Sequence, residues 1–191
     1  MAEKCVLAYS GGLDTSVAIR WIAEKYNVDV IAVAVDVGEE KDYEGIRAKG
    51  EKVGAVKSIV ANKKDEFFQD FITRAIAANL MYEHKYPAFT ALARPLLAKT
   101  QVDIARQEGA TLLAHGCTGK GNDQVRFEVT YAALAPEMRC IAPARVWGMT
   151  REQEIDYAEL HGIPVPVGKK SPYSTDTNLW EETKSTVSGW D

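Results

Sequence analysis

The sequence predicts an α/β fold: a doubly wound, mostly parallel sheet with helices on both faces. Three observations carry this. Apolar extended runs alternate with helical stretches along the chain, and strands joined through helices cross over and pair in parallel. The runs "VIAVAV" and "TLLAH" are apolar almost without interruption, as strands covered on both faces are. Finally, "EKVGAVKSIV" around Gly54, "RQEGATLLAHG" around Gly109 and "ELHGIPVPV" around Gly162 each pass from a charged helical stretch through glycine into an apolar stretch. Glycine readily takes the left-handed turn that stops a helix.

The elements follow in order. An apolar strand over 5–9 runs into "SGG" and then a helix over 15–26. "VIAVAV" makes a strand over 30–35, followed by a charged helix over about 42–53 that Gly54 ends, and a strand over 55–60. Periodic stretches predict helices over about 64–80 and 92–108, the second stopped by Gly109. A strand over 111–115, a helix over 123–134 opened by Asn122 and Asp123, a short strand over 139–142 and a helix over 151–161 complete the alternation. From Glu181 onward the chain is polar and without clear period, which reads as a tail.

Bulk properties narrow the function classes. The 191 residues are 46% hydrophobic and 26% charged, with net charge −4, ordinary values for a water-soluble globular domain. No basic run suggests a nucleic-acid partner, and no apolar run is long enough to span a bilayer. The opening "MAEKC" lacks a signal-peptide pattern. Cys5, Cys117 and Cys140 form neither CxxC nor a zinc spacing, which fits a reducing compartment and makes the cytoplasm the expected location. His84, His115 and His161 are not at metal spacing either.

Two loops carry chemistry. In Ser10-Gly11-Gly12-Leu13-Asp14-Thr15-Ser16, two glycines admit a ligand to the backbone, the following helix aims free N–H groups at it, and hydroxyls flank both sides. This suits phosphate oxygens. The plainer alternative is a tight turn with Asp14 or Thr15 as helix cap. The loop is neither a Walker A motif nor GxGxxG. In "HGCTGKGNDQVRFE", three glycines follow an apolar strand, and Asn122 and Arg126 are one helical turn apart. Thr118, Lys120, Asn122, Asp123 and Arg126 gather an ammonium, an amide, a carboxylate and a guanidinium in a small region. Arg126 can fork two hydrogen bonds to a carboxylate, and Asp123 can receive an amino acid's ammonium group. The scaffold alternative makes Asp123 a cap and Arg126 a solvated side chain.

Residues 10–16 match the SGGxD[ST]S loop of the ATP-pyrophosphatase (PP-loop) superfamily. The second loop closely resembles a segment of argininosuccinate synthases, and "VLAYSGGLDTS", "YPAFTALARPLLAK", "HGIPVPV" and "SPYSTDTNLW" stand in that family's order over residues 4–180. The resemblance implies a ligase that joins citrulline to aspartate with ATP, releasing AMP and pyrophosphate, with Mg²⁺ arriving on the nucleotide. It implies that Ala8, Tyr9, Ser10, Gly11, Gly12, Leu13, Asp14, Thr15, Ser16 and Gly116 bind ATP, that Thr118, Asn122 and Asp123 bind aspartate, and that Tyr86, Asn122, Arg126 and Ser174 bind citrulline. No residue is assigned as acid, base or protein-held metal ligand. Taken alone, Tyr86 would be an aromatic over a core edge and Ser174 an ordinary loop serine. Ala91 and Thr183 stand where the family often has serines.

The resemblance also implies a nucleotide-binding domain over 1–165, and over 166–191 the start of a truncated second domain or a tail. In the family that second domain carries further citrulline contacts and most of a tetramer interface, so a homo-oligomer is not expected of this length alone. The alternative to the ligase is a non-catalytic ATP-binding fragment of it.

Overall fold

The computed structural model describes residues 2–119, 121–164, 173–180 and 182–186, the last two strands by their backbone. Five parallel strands form one sheet in the order β3-β2-β1-β4-β5. They are β1 (Lys4–Ala8), β2 (Asp29–Asp36), β3 (Lys57–Asn62), β4 (Leu112–Ala114) and β5 (Arg139–Ile141). Strand order turns back between β1 and β4, and in open α/β sheets the crevice at such a switch point, beyond the strands' carboxyl ends, is where ligands bind.

The strands alternate at period two between two apolar cores. Cys5, Leu7, Val30, Ala32, Leu112 and Ala114 face α1 (Leu13–Tyr26), α2 (Tyr43–Val53) and α8 (Arg151–Leu160). Val6, Ile31, Val33 and Leu113 face α5 (Phe89–Glu108) and α6 (Asp123–Leu134). Both sides of the sheet are therefore dry, which is why these strands are written almost entirely in apolar residues. The glycine stops are in place: Gly54, Gly109 and Gly162 have φ of 119°, 66° and 64°.

Several elements differ from the sequence expectation. The helix expected over 64–80 is three pieces: α3 (Lys64–Glu66), a π-helical turn over Phe67–Ile72, and α4 (Thr73–Ala77). Phe67 and Ile72, five residues apart, are both buried in a third core with Leu96, while Phe68 between them is 52% exposed. That spacing belongs to i→i+5 winding, which a 3.6-residue template misses. A short helix, α7 (Pro143–Val146), with proline in its first turn, was not anticipated.

The expectation of a tail from Glu181 is corrected. β6 (Tyr173–Thr177) and β7 (Glu182–Thr186) form an antiparallel pair. The turn between them is tied to the domain. Leu179 N donates to Val37 O at 2.9 Å, Trp180 Nε1 to Pro87 O at 3.0 Å, and Asn178 Nδ2 to Phe89 O at 3.3 Å. No helix among the described residues is long and apolar enough to cross a membrane.

Candidate functional site

A cleft of about 460 Å³ opens at the switch point. The loop leaving β1 forms one wall and the loop leaving β4 the other, and Ala8, Tyr9, Ser10, Gly12, Leu13, Asp14, Thr15 and Gly116 all line it. Gly11 lies against a shallower hollow beside it, with Lys49 and Gly45. The 10–16 loop is braced by its own hydroxyls. Ser10 Oγ lies 3.1 Å from Thr15 Oγ1 and accepts from Gly12 N at 3.3 Å, and Lys49 Nζ donates to Gly11 O at 2.8 Å.

Neither Asp14 nor Thr15 caps α1. Its cap residue is Gly12, which supplies no side chain, so the amides of Leu13, Asp14 and Thr15 have no acceptor within the helix. Those N–H groups and the positive end of the helix dipole face the loop, as anion binding requires. Ser16 differs from its neighbours. It is fully buried, its hydroxyl donates to Gly12 O at 2.7 Å and lies 3.2 Å from Tyr9 OH. It shapes the loop from beneath and does not line the cleft.

At the start of α6, Asn122 is the cap residue and Arg126 N donates to Asn122 O at 3.2 Å, the one-turn relation read from spacing. Asp123 lines the cleft, but both its oxygens are engaged: Oδ1 by Arg126 Nη1 at 2.7 Å and Oδ2 by Arg94 Nε at 2.9 Å. Two guanidinium groups thus already hold Asp123, and an ammonium group expected there from the sequence would meet a carboxylate that is partly neutralised. Thr118, Asn122 and Arg126 stand at the cleft's edge in sequence but are not among its lining residues. Tyr86 does not line it either. Its hydroxyl is 3.2 Å from Thr90 Oγ1, and its ring meets Phe89 edge to face. Ser174 lies in β6 opposite Ser185, and its side chain, like those of Thr183 and Lys120, is outside the described residues.

Sequence reasoning missed the charged groups that finish the cleft. Arg94, Lys41, Glu39 and Arg151 line it. The cations are held in pairs, Lys41 with Glu39, Arg94 with Asp123 and Arg151 with Asp14. No local spacing joins them, because Arg94 comes from α5, Arg151 from α8, and Glu39 and Lys41 from the loop after β2. Gln101, in the middle of α5, also reaches the cleft wall.

His115 is a satisfied buried histidine. Burial pushes its pKa down, so the ring is neutral. Nδ1 accepts from Cys117 N at 3.3 Å, leaving the proton on Nε2, 3.2 Å from Glu128 Oε1. Among the described residues, His115, Glu128 and Cys140 are the one group of three possible metal ligands. With Nδ1 committed as acceptor and Nε2 protonated, neither ring nitrogen has a lone pair to give. A set with a thiol and an imidazole also does not suit Mg²⁺, which takes oxygen ligands and is usually carried on substrate phosphates.

Glu154, from α8, is 8% exposed and sits beside Asp14 and Arg151. Burial and then the Asp14 charge raise its pKa from 4.5 to about 7. A carboxyl raised in the folded state favours folding in its protonated form, and that contribution disappears as pH rises through the shifted value. Wild-type melting temperature should therefore fall relative to Glu154→Gln between pH 4.5 and about 7. Parallel melting curves for the two proteins across this range would refute the assignment.

A 3-2-1-4-5 parallel sheet with a Ser-Gly-Gly loop at its switch point defines a nucleotide-binding-type α/β domain with a PP-loop. The family profile for the arginosuccinate synthase N-terminal HUP domain matches residues 4–164, and the chain belongs to the argininosuccinate synthase family. The argininosuccinate synthase of Dehalococcoides mccartyi strain 195 is 62% identical over 180 residues, covering 94% of this chain and 44% of that relative. That of Symbiobacterium thermophilum is 62% identical over 179 residues, covering 93% and 45%. The chain thus spans less than half the length of these curated relatives. A solved structure described as a predicted subunit of tRNA methyltransferase from Methanocaldococcus jannaschii shares the fold, with TM-score 0.53 and 19% identity over 82% of this chain and 74% of its own.

Proposed function

We propose that this chain is the nucleotide-binding part of a ligase that joins citrulline to aspartate at the expense of ATP, releasing AMP and pyrophosphate. The observation that carries it is the meeting, in one cleft, of Ser10, Gly12, Leu13, Asp14 and Thr15 with Gly116, Arg94 and Asp123, the last also held by Arg126 outside the lining. One wall suits polyphosphate and the other suits charged amino acids.

The chemistry asks for little proton transfer. The ureido oxygen of citrulline attacks the α-phosphorus, the bond to the bridging α–β oxygen breaks, and pyrophosphate leaves. The aspartate amine then attacks the ureido carbon and AMP departs. The loop's role is to hold the departing pyrophosphate on the backbone N–H groups at the start of α1 and the hydroxyls of Ser10 and Thr15. Mg²⁺ rides on the phosphates. Thr118, Asn122 and Asp123 are the aspartate side, and Tyr86, Asn122, Arg126 and Ser174 the citrulline side. Asp123, held by two arginines, acts first by fixing their guanidinium groups. Rate then comes from positioning and charge neutralisation. The partners are small molecules, without nucleic acid or membrane, in the cytoplasm.

The second reading is a module that holds ATP without turnover, favoured by the relatives being more than twice as long. One assay separates the two. The purified chain is incubated with ATP, Mg²⁺, citrulline and aspartate, and AMP and pyrophosphate are measured. Citrulline-dependent pyrophosphate is the expected result for the ligase. ATP binding by calorimetry without it selects the module, and absence of both overturns the nucleotide reading.

A further inference from the structure

Arg151 begins α8, and its place beside the 10–16 loop is fixed by the fold. Thr150 caps that helix through a reciprocal hydrogen-bonded pair with Gln153. Further along α8, Ala158 is fully buried in the core shared with α1, and Tyr157 OH donates to Glu24 Oε2 at 2.9 Å. The two helices are thereby locked side by side, so the first turn of α8 stands against the first turn of α1. The Arg151 side chain itself is 63% exposed. Its Nη1 bridges Asp14 Oδ1, in the loop, and Glu154 Oε2 at 3.3 Å.

This arrangement puts a solvent-exposed cation on a packed helix at the rim of an anion-binding loop. A polyphosphate seated on the loop brings several negative charges next to the Asp14 carboxylate, an unfavourable contact unless a cation lies between them. Among the described residues, Arg151 is a cleft-lining cation already paired with the loop, through Asp14. Its planar fork has five donors, enough to keep Asp14 while turning others to phosphate oxygens. Glu154, with its shifted proton affinity, can become neutral when the guanidinium turns away and so does not pull it back.

We propose that Arg151 turns from Glu154 while keeping Asp14, reaches the β- and γ-phosphates of the nucleotide with its remaining donors, and holds the leaving pyrophosphate. This rests on the nucleotide reading above and extends the phosphate grip to α8, some 137 residues from the loop it serves.

The test is titration of inorganic pyrophosphate and of ATP into the full chain, followed by calorimetry, for wild type, Arg151→Ala and Arg151→Lys. Pyrophosphate affinity should fall at least tenfold in the alanine variant and by much less in the lysine variant. The salt dependence of binding should be shallower in the alanine variant, because one phosphate contact is gone. Melting temperature is read alongside. A purely structural role would move melting in both variants without separating Ala from Lys in affinity. Wild-type binding with unchanged affinity in Arg151→Ala overturns the proposal and leaves the nucleotide reading standing. Failure of wild type to bind either ligand overturns both.

Discussion

Replacing Gly116 by valine should abolish measurable nucleotide binding while leaving the domain folded. A Cβ at this position would lie 2.9 Å from Thr15 Cγ2, closer than carbon atoms pack. Thr15 has little room to yield, since its hydroxyl is bonded to Ser10 Oγ and lies 3.4 Å from Gly12 O. The branched side chain would push the two cleft walls apart at the phosphate loop. Alanine, with one methyl, should weaken ATP or pyrophosphate binding by on the order of tenfold, about 1.4 kcal/mol, and valine by considerably more. The backbone at Gly116 is not left-handed, unlike that at Gly54, so either side chain is tolerated by the chain itself. Calorimetric titration checks the prediction, and unchanged affinity in the valine variant would refute the close approach of the two loops.

The second large effect is on stability. Gln101, 1% exposed, ties the two central strands to both helices on one face. Its Nε2 donates to Val6 O at 3.3 Å and Ala114 O at 3.1 Å, and its Oε1 accepts from Tyr131 OH at 2.5 Å. Gln101→Leu keeps the volume and strands the Tyr131 hydroxyl and the carbonyls. At about 1–3 kcal/mol for each buried polar group left without its partner, the loss of all three should be at least about 3 kcal/mol. Urea unfolding should show a lower midpoint with an unchanged slope. Adding Tyr131→Phe should recover part of the loss, because it removes one of the stranded groups, a coupling that strict additivity of the two changes would rule out.

Much of the fold was legible because it is written locally. The helix expected over 123–134 is found with those bounds as α6, since Asn122 and Asp123 signal a start and the apolar period runs unbroken. The helix expected from 92 begins at Phe89. Pro95 suggests a later start, because proline favours the first turn. In the folded chain Ala88 instead takes a left-handed turn that opens the helix upstream. β6 and β7 were missed because Thr-rich, polar strands carry no apolar alternation, and their pairing is made across a turn that docks on Val37 and Pro87.

The sequence by itself determined the sheet class, the placing of both glycine-rich loops after strands, and the one-turn relation of Asn122 to Arg126. These depend on backbone preference and on apolar period, which are properties of neighbouring residues. Only the tertiary structure decided which charges meet. Arg94 finds Asp123 from α5, and Arg151 finds Asp14 from α8. Charge pairing acts through space, and residues 29 or 137 positions apart leave no local signature of it. The same holds for Ser16. Its type matched a ligand-binding hydroxyl, and the packing of Tyr9 against the base of the loop turned it inward.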